Sequence, residues 1–215
     1  MLVIGAKGFA KEVLEILIQL GEVEHIAFYD DVSLDTPKLL YEKFPVLKSR
    51  GEAEHYFKTV DNRFTLGIGN PILRKKMYDQ FILLGGVFTS TISPTAEIGS
   101  YDIDIAHGNN ILTNVILSNS TKIGMGCLIY YNSVITHDCI VGDFVEISPS
   151  ATLLGECSIG SYTRIGTNAT ILPKVSIGKN VVVAAGAVVT KNIPDNCMVA
   201  GIPAVIKKEL TPLDF

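Results

Sequence analysis

From Ile105 to Val189 every sixth residue is aliphatic, with no break in phase: Ile105, Ile111, Leu117, Ile123, Ile129, Ile135, Val141, Ile147, Leu153, Ile159, Ile165, Ile171, Ile177, Val183 and Val189. A period of six matches neither a 3.6-residue helix nor an isolated strand that alternates every two residues. It fits a chain that turns a corner every six residues and stacks its coils. Two further registers agree. Four residues after an aliphatic position the side chain is small or modest, as at Cys127, Ser133, Cys139, Ala151, Cys157, Thr163, Ala169 and Ala187. A bulky group would not fit inside a sharp corner. Three residues after it stand Gly108, Asn114, Gly126, Asn132, Asp138, Asn168, Asn180, Gly186 and Asn192, types that accept a left-handed backbone. Gly124, Gly142, Gly160 and Gly178 recur every 18 residues. One coil then has three flat faces, and neighbouring coils lie about 4.8 Å apart.

Residues 1–90 follow a different grammar and read as a small parallel α/β, Rossmann-like domain. Leu2-Val3-Ile4 is a short buried strand, and Lys11 to Leu20 is a helix stopped by Gly21. Ile26 to Tyr29 is a second strand, residues 32–48 are loop-rich, and Ser49 to Phe57 is a short helix. Phe64 to Ile68 is a third strand. Asn70 then caps a helix that starts at Pro71 and carries the apolar stripe Leu73, Met77, Phe81 and Leu84. A strand at Val87-Phe88 leads to the boundary at Ile92-Ser93-Pro94. The coil occupies 91–193. A tail, 194–215, offers a last strand at Cys197 to Ala200, a break at Gly201-Ile202-Pro203-Ala204 and one helical turn over 205–210.

Composition narrows the function. Hydrophobic residues make up 47% of the chain, yet no apolar run is long enough to span a membrane. The net charge is −4, and no Lys/Arg cluster precedes Lys207 and Lys208, which argues against nucleic acid as a partner. No basic segment precedes an apolar block, so no signal peptide is read. Cys127, Cys139 and Cys157 fall in the small-corner register and no CxxC occurs, so packing explains them and a reducing cytoplasm fits.

Three strand ends carry candidate chemistry. Gly5-Ala6-Lys7-Gly8 lies between a strand and a helix, where backbone N–H groups can face a phosphate or simply make a tight turn. It lacks the dinucleotide fingerprint, because Lys7 and Ala10 stand where glycines are required. Asp30 and Asp31 can accept from a ribose or base, or begin a solvated loop. Gly69 and Asn70 can line a site or cap a helix. Of the histidines, His25 and His55 read as surface residues and His107 as structural. His137 should project outward at a corner, beside Asp138, which itself occupies the corner register.

The hexad pattern resembles that of the hexapeptide-repeat acyltransferases, whose coil is a left-handed parallel β-helix. The handedness comes from the resemblance, since crossover rules alone favour a right-handed turn. Gly5-Ala6-Lys7-Gly8, Asp30-Asp31, Ile68-Gly69-Asn70 with Arg74, and Thr136-His137-Asp138-Cys139-Ile140-Val141-Gly142 together resemble one branch of that family. It contains bacterial acetyltransferases acting on nucleotide-linked 4-amino sugars, and relatives called sialic acid O-acetyltransferases. The similarity covers almost the whole chain.

The resemblance implies a cytoplasmic homotrimer with active sites in clefts between neighbouring coils. The nucleotide sugar would be held by Lys7, Gly8, Phe9, Asp30, Asp31, Gly69 and Asn70 of the N-terminal domain. Acetyl-CoA would lie along the coil against Glu146, Thr167 and Ala185. His137 would be the general base, assisted by Asp138, with no acyl-enzyme and no metal. Cys139 should point inward and so makes a poor nucleophile. Two departures stand out. Many relatives have histidine where this chain has Glu146, and an ionised glutamate cannot donate a hydrogen bond. Val205 follows Gly201-Ile202-Pro203-Ala204 where lysine is usual, leaving Lys207 or Lys208 to meet a CoA phosphate. Three other readings stay open: acetylation of a sugar or sialic acid hydroxyl, a zinc enzyme, and a non-enzymatic trimeric stalk. The zinc reading has only His107 and His137 in the coil, where three ligands are usual.

Overall fold

The computed structural model describes residues 1–33 and 35–214. The chain opens with β1 (Leu2–Ile4), α1 (Gly8–Gln19) and β2 (Ala27–Tyr29). Then come β3 (Leu39–Leu40), β4 (Phe44–Leu47), α2 (Arg50–Thr59), β5 (Arg63–Leu66), α3 (Pro71–Leu83) and β6 (Val87–Phe88). The sheet order is β3-β4-β2-β1-β5-β6, parallel from β4 through β6. β1 is central and fully buried, with β2 and β5 on opposite sides of it. The carboxyl end of β1 is therefore a topological switch point, where sheets of this kind bind ligands.

Local chemistry sets the helix starts. Ser49 and Glu52 form a reciprocal capping box at α2. The Asn70 carboxamide oxygen accepts from the Ile72 and Leu73 N–H groups at α3, with Pro71 at the first position. At α1 no side chain among the described residues caps the helix, so its first N–H groups remain available to a ligand.

Three expectations need correction. The loop-rich segment 32–48 contains an antiparallel hairpin, β3–β4. On α3, Met77, Phe81 and Leu84 of the expected stripe do pack into the N-terminal core, but Leu73 is 40% exposed and Arg74 is fully buried beside Phe81. The helix is turned so that the Arg74 guanidinium reaches carbonyl groups of the coil. Residues 205–210 do not form a helical turn. Ala204–Glu209 is a strand antiparallel to Cys197–Gly201, because the last coil leaves an open sheet edge that the returning chain completes.

From Thr91 the chain winds into a left-handed parallel β-helix with three sheets as its faces. Face 1 contains Asn110–Ile111, Leu128–Ile129, Glu146–Ile147, Arg164–Ile165 and Val182–Val183. Face 2 contains Ile116–Leu117, Val134–Ile135, Thr152–Leu153, Thr170–Ile171 and Val188–Val189, and face 3 Lys122–Ile123, Ile140–Val141, Ser158–Ile159 and Ser176–Ile177. Strands pair in register 18 residues apart, as in Ile111↔Ile129↔Ile147↔Ile165↔Val183. These aliphatic columns fill the interior, each side chain worth roughly 1.5–3 kcal/mol of burial. Every sixth residue from Gly108 to Gly186 has a positive φ, so each corner is left-handed even where Phe144, Glu156, Tyr162 or Lys174 occupies it.

The N-terminal unit packs on the upper part of face 1. Phe9 and Ile16 of α1 meet Leu112, Leu128 and Tyr130, while Tyr78 and Phe88 pack beside Phe144. Arg74 joins the two units. It donates from Nε to Gly126 O at 3.0 Å, from Nη1 to Leu66 O and Ile68 O at 3.1 and 2.9 Å, and from Nη2 to Asn110 Oδ1 and Cys127 O at 2.7 and 3.3 Å. Burial lowers this guanidinium to about 10.

Candidate active site

A cavity of about 540 Å³ opens at the switch point. The turn after β1 lines it from Gly5 to Phe9, and the end of β2 lines it with Tyr29, Asp30, Asp31, Val32 and Ser33. Gly67, Ile68 and Gly69 after β5 form the third wall. Gly5 has φ +115°, and a Cβ there would lie 2.7 Å from Gly67 O, so only glycine allows the two strand ends to approach. The uncapped N-terminus of α1 faces this space with unused backbone donors and the positive end of the helix dipole.

The two aspartates differ. Asp30 accepts from Val32 N, Ser33 N and Thr36 Oγ1 at 3.2, 2.9 and 2.7 Å, and so shapes its own loop. Burial pushes its carboxyl up, but these hydrogen bonds outweigh burial and hold it below the usual value. Among the described residues Asp31 accepts only from the Tyr29 hydroxyl, at 2.8 Å, and its carboxylate is the freer acceptor. Lys7 pairs with Asp35 at 2.8 Å, both exposed. Asn70 is occupied by capping α3 and does not line the cavity. Arg50, Lys76 and Gln80 do line it, and the sequence reading missed them. A signal existed: Leu73, Lys76, Met77 and Gln80 recur at helical spacing on the face of α3 that follows the third strand end.

His137 stands elsewhere. It follows Val134–Ile135 of face 2 and precedes Ile140–Val141 of face 3, so it lies on the edge opposite face 1. Its side chain is 62% exposed and Nδ1 lies 2.7 Å from Asp138 Oδ2. That hydrogen bond raises the imidazole above its ordinary value. Asp138 also has φ 60°, so one residue both turns the corner and orients the ring. Cys139, next in the chain, is fully buried. Gly155, one coil below, was also missed. A Cβ there would lie 2.6 Å from His137 Cε1 and 2.7 Å from Nε2, so the imidazole occupies the space that glycine leaves. The 18-residue step from His137 pointed to it.

The remaining coil residues lie on other parts of the prism. Glu146 is on face 1 between Leu128 and Arg164. Burial raises its carboxyl, while Arg164 and Arg74 pull it down. Thr167 and Ala185 are exposed on the edge between faces 1 and 2. Within one chain, then, the coil does not bring Thr167 and Ala185 to His137; a whole face separates their edges. Lys207 and Lys208 are exposed on the final strand. His107 is exposed and meets the Phe88 ring edge-on. Among the described residues no cluster of three His, Cys, Asp or Glu side chains could hold a metal.

Residues 1–81 match the model of the PglD N-terminal domain, and residues 156–191 that of the bacterial transferase hexapeptide, six repeats. The acetyltransferase domain of PglB from Neisseria gonorrhoeae is 30% identical with a TM-score of 0.87, over 96% of this chain and 98% of that one. This chain belongs to the hexapeptide-repeat sugar acetyltransferases. WeeI from Acinetobacter baumannii is likewise 30% identical, with a TM-score of 0.84 over 96% and 98% of the two chains. A mutant perosamine N-acetyltransferase from Caulobacter crescentus, in complex with CoA and GDP-perosamine, is 28% identical with a TM-score of 0.88 over 97% and 96%. The hexapeptide-repeat acetyltransferase described here is thus an acyltransferase, and its two-part architecture recurs along the full length of these structures.

Proposed function

We propose that the protein is an acetyl-CoA-dependent N-acetyltransferase acting on the amino group of a nucleotide-linked 4-amino-4,6-dideoxy sugar. The nucleotide's phosphates lie at the uncapped start of α1, beside Lys7 and Gly8, and its nucleoside lies toward Asp31 and Arg50. Acetyl-CoA follows the edge that carries Thr167 and Ala185. Because that edge and the His137 edge are separated within one chain, three chains assemble and each site joins His137 of one to the cavity of another. The Caulobacter enzyme's complex with CoA and GDP-perosamine supports this choice of substrates. A cytoplasmic site of action follows from the co-substrate. Among the described residues no helix is long and apolar enough to cross a membrane.

The observation that carries the reading is the exposed His137–Asp138 pair at 2.7 Å. Asp138 accepts a hydrogen bond from Nδ1–H, which fixes the tautomer and leaves Nε2 as the base. Nε2 removes a proton from the sugar amine as its nitrogen attacks the thioester carbonyl. The C–N bond forms, the C–S bond breaks, and the CoA thiolate leaves and is protonated. The Gly155 N–H, adjacent to the ring and without a partner among the described residues, donates to the developing oxyanion. The test is incubation with acetyl-CoA and a panel of UDP-, dTDP- and GDP-linked 4-amino sugars. Release of free CoA with a base-stable product supports N-acetylation. A base-labile product points to an ester instead, and no release with any member of the panel refutes the reading for those substrates.

A further inference from the structure

The three edges of the coil differ in charge. Between faces 1 and 2 the left-handed corner positions are Asn114, Asn132, Ser150, Asn168 and Gly186. Between faces 3 and 1 they are Gly108, Gly126, Phe144, Tyr162 and Asn180. None of these carries a charge at neutral pH. On the edge of His137 the successive positions include Asp138, Glu156 and Lys174, with φ 60°, 62° and 65°. Glutamate and lysine gain nothing from a left-handed backbone, which glycine or asparagine adopts at less cost. Turning the corner does not explain why they stand here.

Glu156 lies one coil below the base and is tied to it, since its N–H donates to His137 O at 3.1 Å. The imidazole leans over the neighbouring Gly155, where a Cβ would lie 2.7 Å from Nε2. Asp138 and Glu156 share one column, about 4.8 Å apart along the coil. Both carboxylates act on the ring: the Asp138 hydrogen bond is the main cause that raises it, and the Glu156 charge adds a smaller push. Lys174, one coil further down, brings Nζ to 3.6 Å from Glu156 Oε1, with the two side chains 73% and 52% exposed. So long a contact between exposed chains leaves the carboxylate open to a second cation.

We propose that Glu156 is a specificity-determining residue: with Asp138 it makes the approach to Nε2 anionic, and so selects an acceptor bearing an amino group over one bearing a hydroxyl. The inference rests on the reading of His137 as the base. An amine of ordinary basicity, about 7.7–8.0 for an α-amino group, arrives mostly as ammonium at neutral pH. It sheds one proton to solvent, and its nitrogen attacks the thioester carbonyl. The nitrogen is positive again in the adduct until Nε2 takes its second proton. The C–S bond breaks and the thiolate takes up that proton, so one proton is released overall. Two carboxylates favour the nitrogen both on arrival and in the adduct. A hydroxyl arrives neutral and gains negative charge as it is deprotonated, which the same carboxylates oppose.

Steady-state assays on the full-length protein compare UDP-, dTDP- and GDP-linked 4-amino sugars with their 4-hydroxy counterparts, the latter as competitive inhibitors. In Glu156→Gln, kcat/KM for the amino sugar should fall about threefold to fivefold at low salt, with the inhibition constant of the hydroxy sugar within about twofold of the parental value. Glu156→Asp should keep the parental ratio. Lys174→Gln frees the carboxylate and should move the ratio the opposite way; any contact of Lys174 with acetyl-CoA is common to both sugars and cancels. The parental ratio should also shrink as salt rises from about 0.01 M to about 0.15 M, a response that a purely structural role does not give. A fall of less than about twofold in Glu156→Gln, or an equal change in the hydroxy-sugar constant, overturns the inference while the base reading stands. Full activity in His137→Ala, or no turnover of any amino sugar by the parent, overturns the base reading and the inference with it.

Discussion

Gly155→Ala tests the placement of the base without removing it. A Cβ at 155 would lie 2.6 Å from His137 Cε1, whereas carbon atoms in contact sit about 3.5–4.0 Å apart. The ring must therefore move by about 1 Å. The backbone at 155 is outside the left-handed region, so alanine fits it. The displaced group is an imidazole that is 62% exposed, free to swing into solvent. Stability should change by no more than about 0.5 kcal/mol, as for other surface substitutions. Catalysis should not be spared, since a misplacement of about 1 Å can cost about 10²-fold. The assay pairs thermal denaturation with free-thiol release from acetyl-CoA, using an accepted nucleotide sugar. An unchanged melting temperature with kcat lowered about 10²-fold is expected. A variant whose kcat stays within twofold of the parent would refute the claim that the base works from the position seen here.

Other outcomes follow from the same geometry. The base must be neutral to act, and Asp138 raises His137 above 6.5, so the acid limb of kcat/KM should have its midpoint above that value. Asp138→Asn should move the limb to lower pH; the substrate's own amine is common to both profiles, and an unmoved limb would remove Asp138 from this role. Arg74→Met strands five acceptors at the junction and should cost about 3 kcal/mol or more in chemical denaturation. Ile165→Asp, inside the coil, should destabilise by at least about 3 kcal/mol, whereas Lys179→Asp should stay within about 0.5 kcal/mol.

The coil was legible because its interior repeats itself: one column, Ile111 to Val183, recurs in register every 18 residues. The corners were only partly so. Phe144 and Tyr162 are unusual in left-handed backbone, and what holds them is tertiary. Their N–H groups donate to Met125 O and Asp143 O at 2.7 and 2.9 Å, and their rings stack at 5.9 Å. Gly126 makes room for Phe144, since a Cβ there would meet its ring. Pro37 and Pro45 concealed the β3–β4 hairpin. In it the ladder bond comes from Val46 N to Lys38 O, so the N–H that Pro45 lacks is not needed. Asp30 and Asp31 look alike in sequence. Their roles separate only when Val32, Ser33 and Thr36 are seen to enclose one of them. Arg74 was noted as part of a motif, but its carbonyl partners on the coil lie 52 and 53 residues away, beyond any local pattern.

The most direct test of a shared site is complementation between two inactive chains. His137→Ala removes the base. Gly8→Asp places a carboxylate at the start of α1, where nothing lies within 4 Å of the new Cβ, so the fold accepts it while phosphate is repelled. If each site pairs one chain's cavity with another's imidazole, random co-assembly at equal expression leaves about a quarter of the sites intact. Co-expressed chains should then recover about that fraction of parental activity, while each variant alone shows almost none. Mixed assemblies, verified by mass, that remain as inactive as their parents would contradict the account.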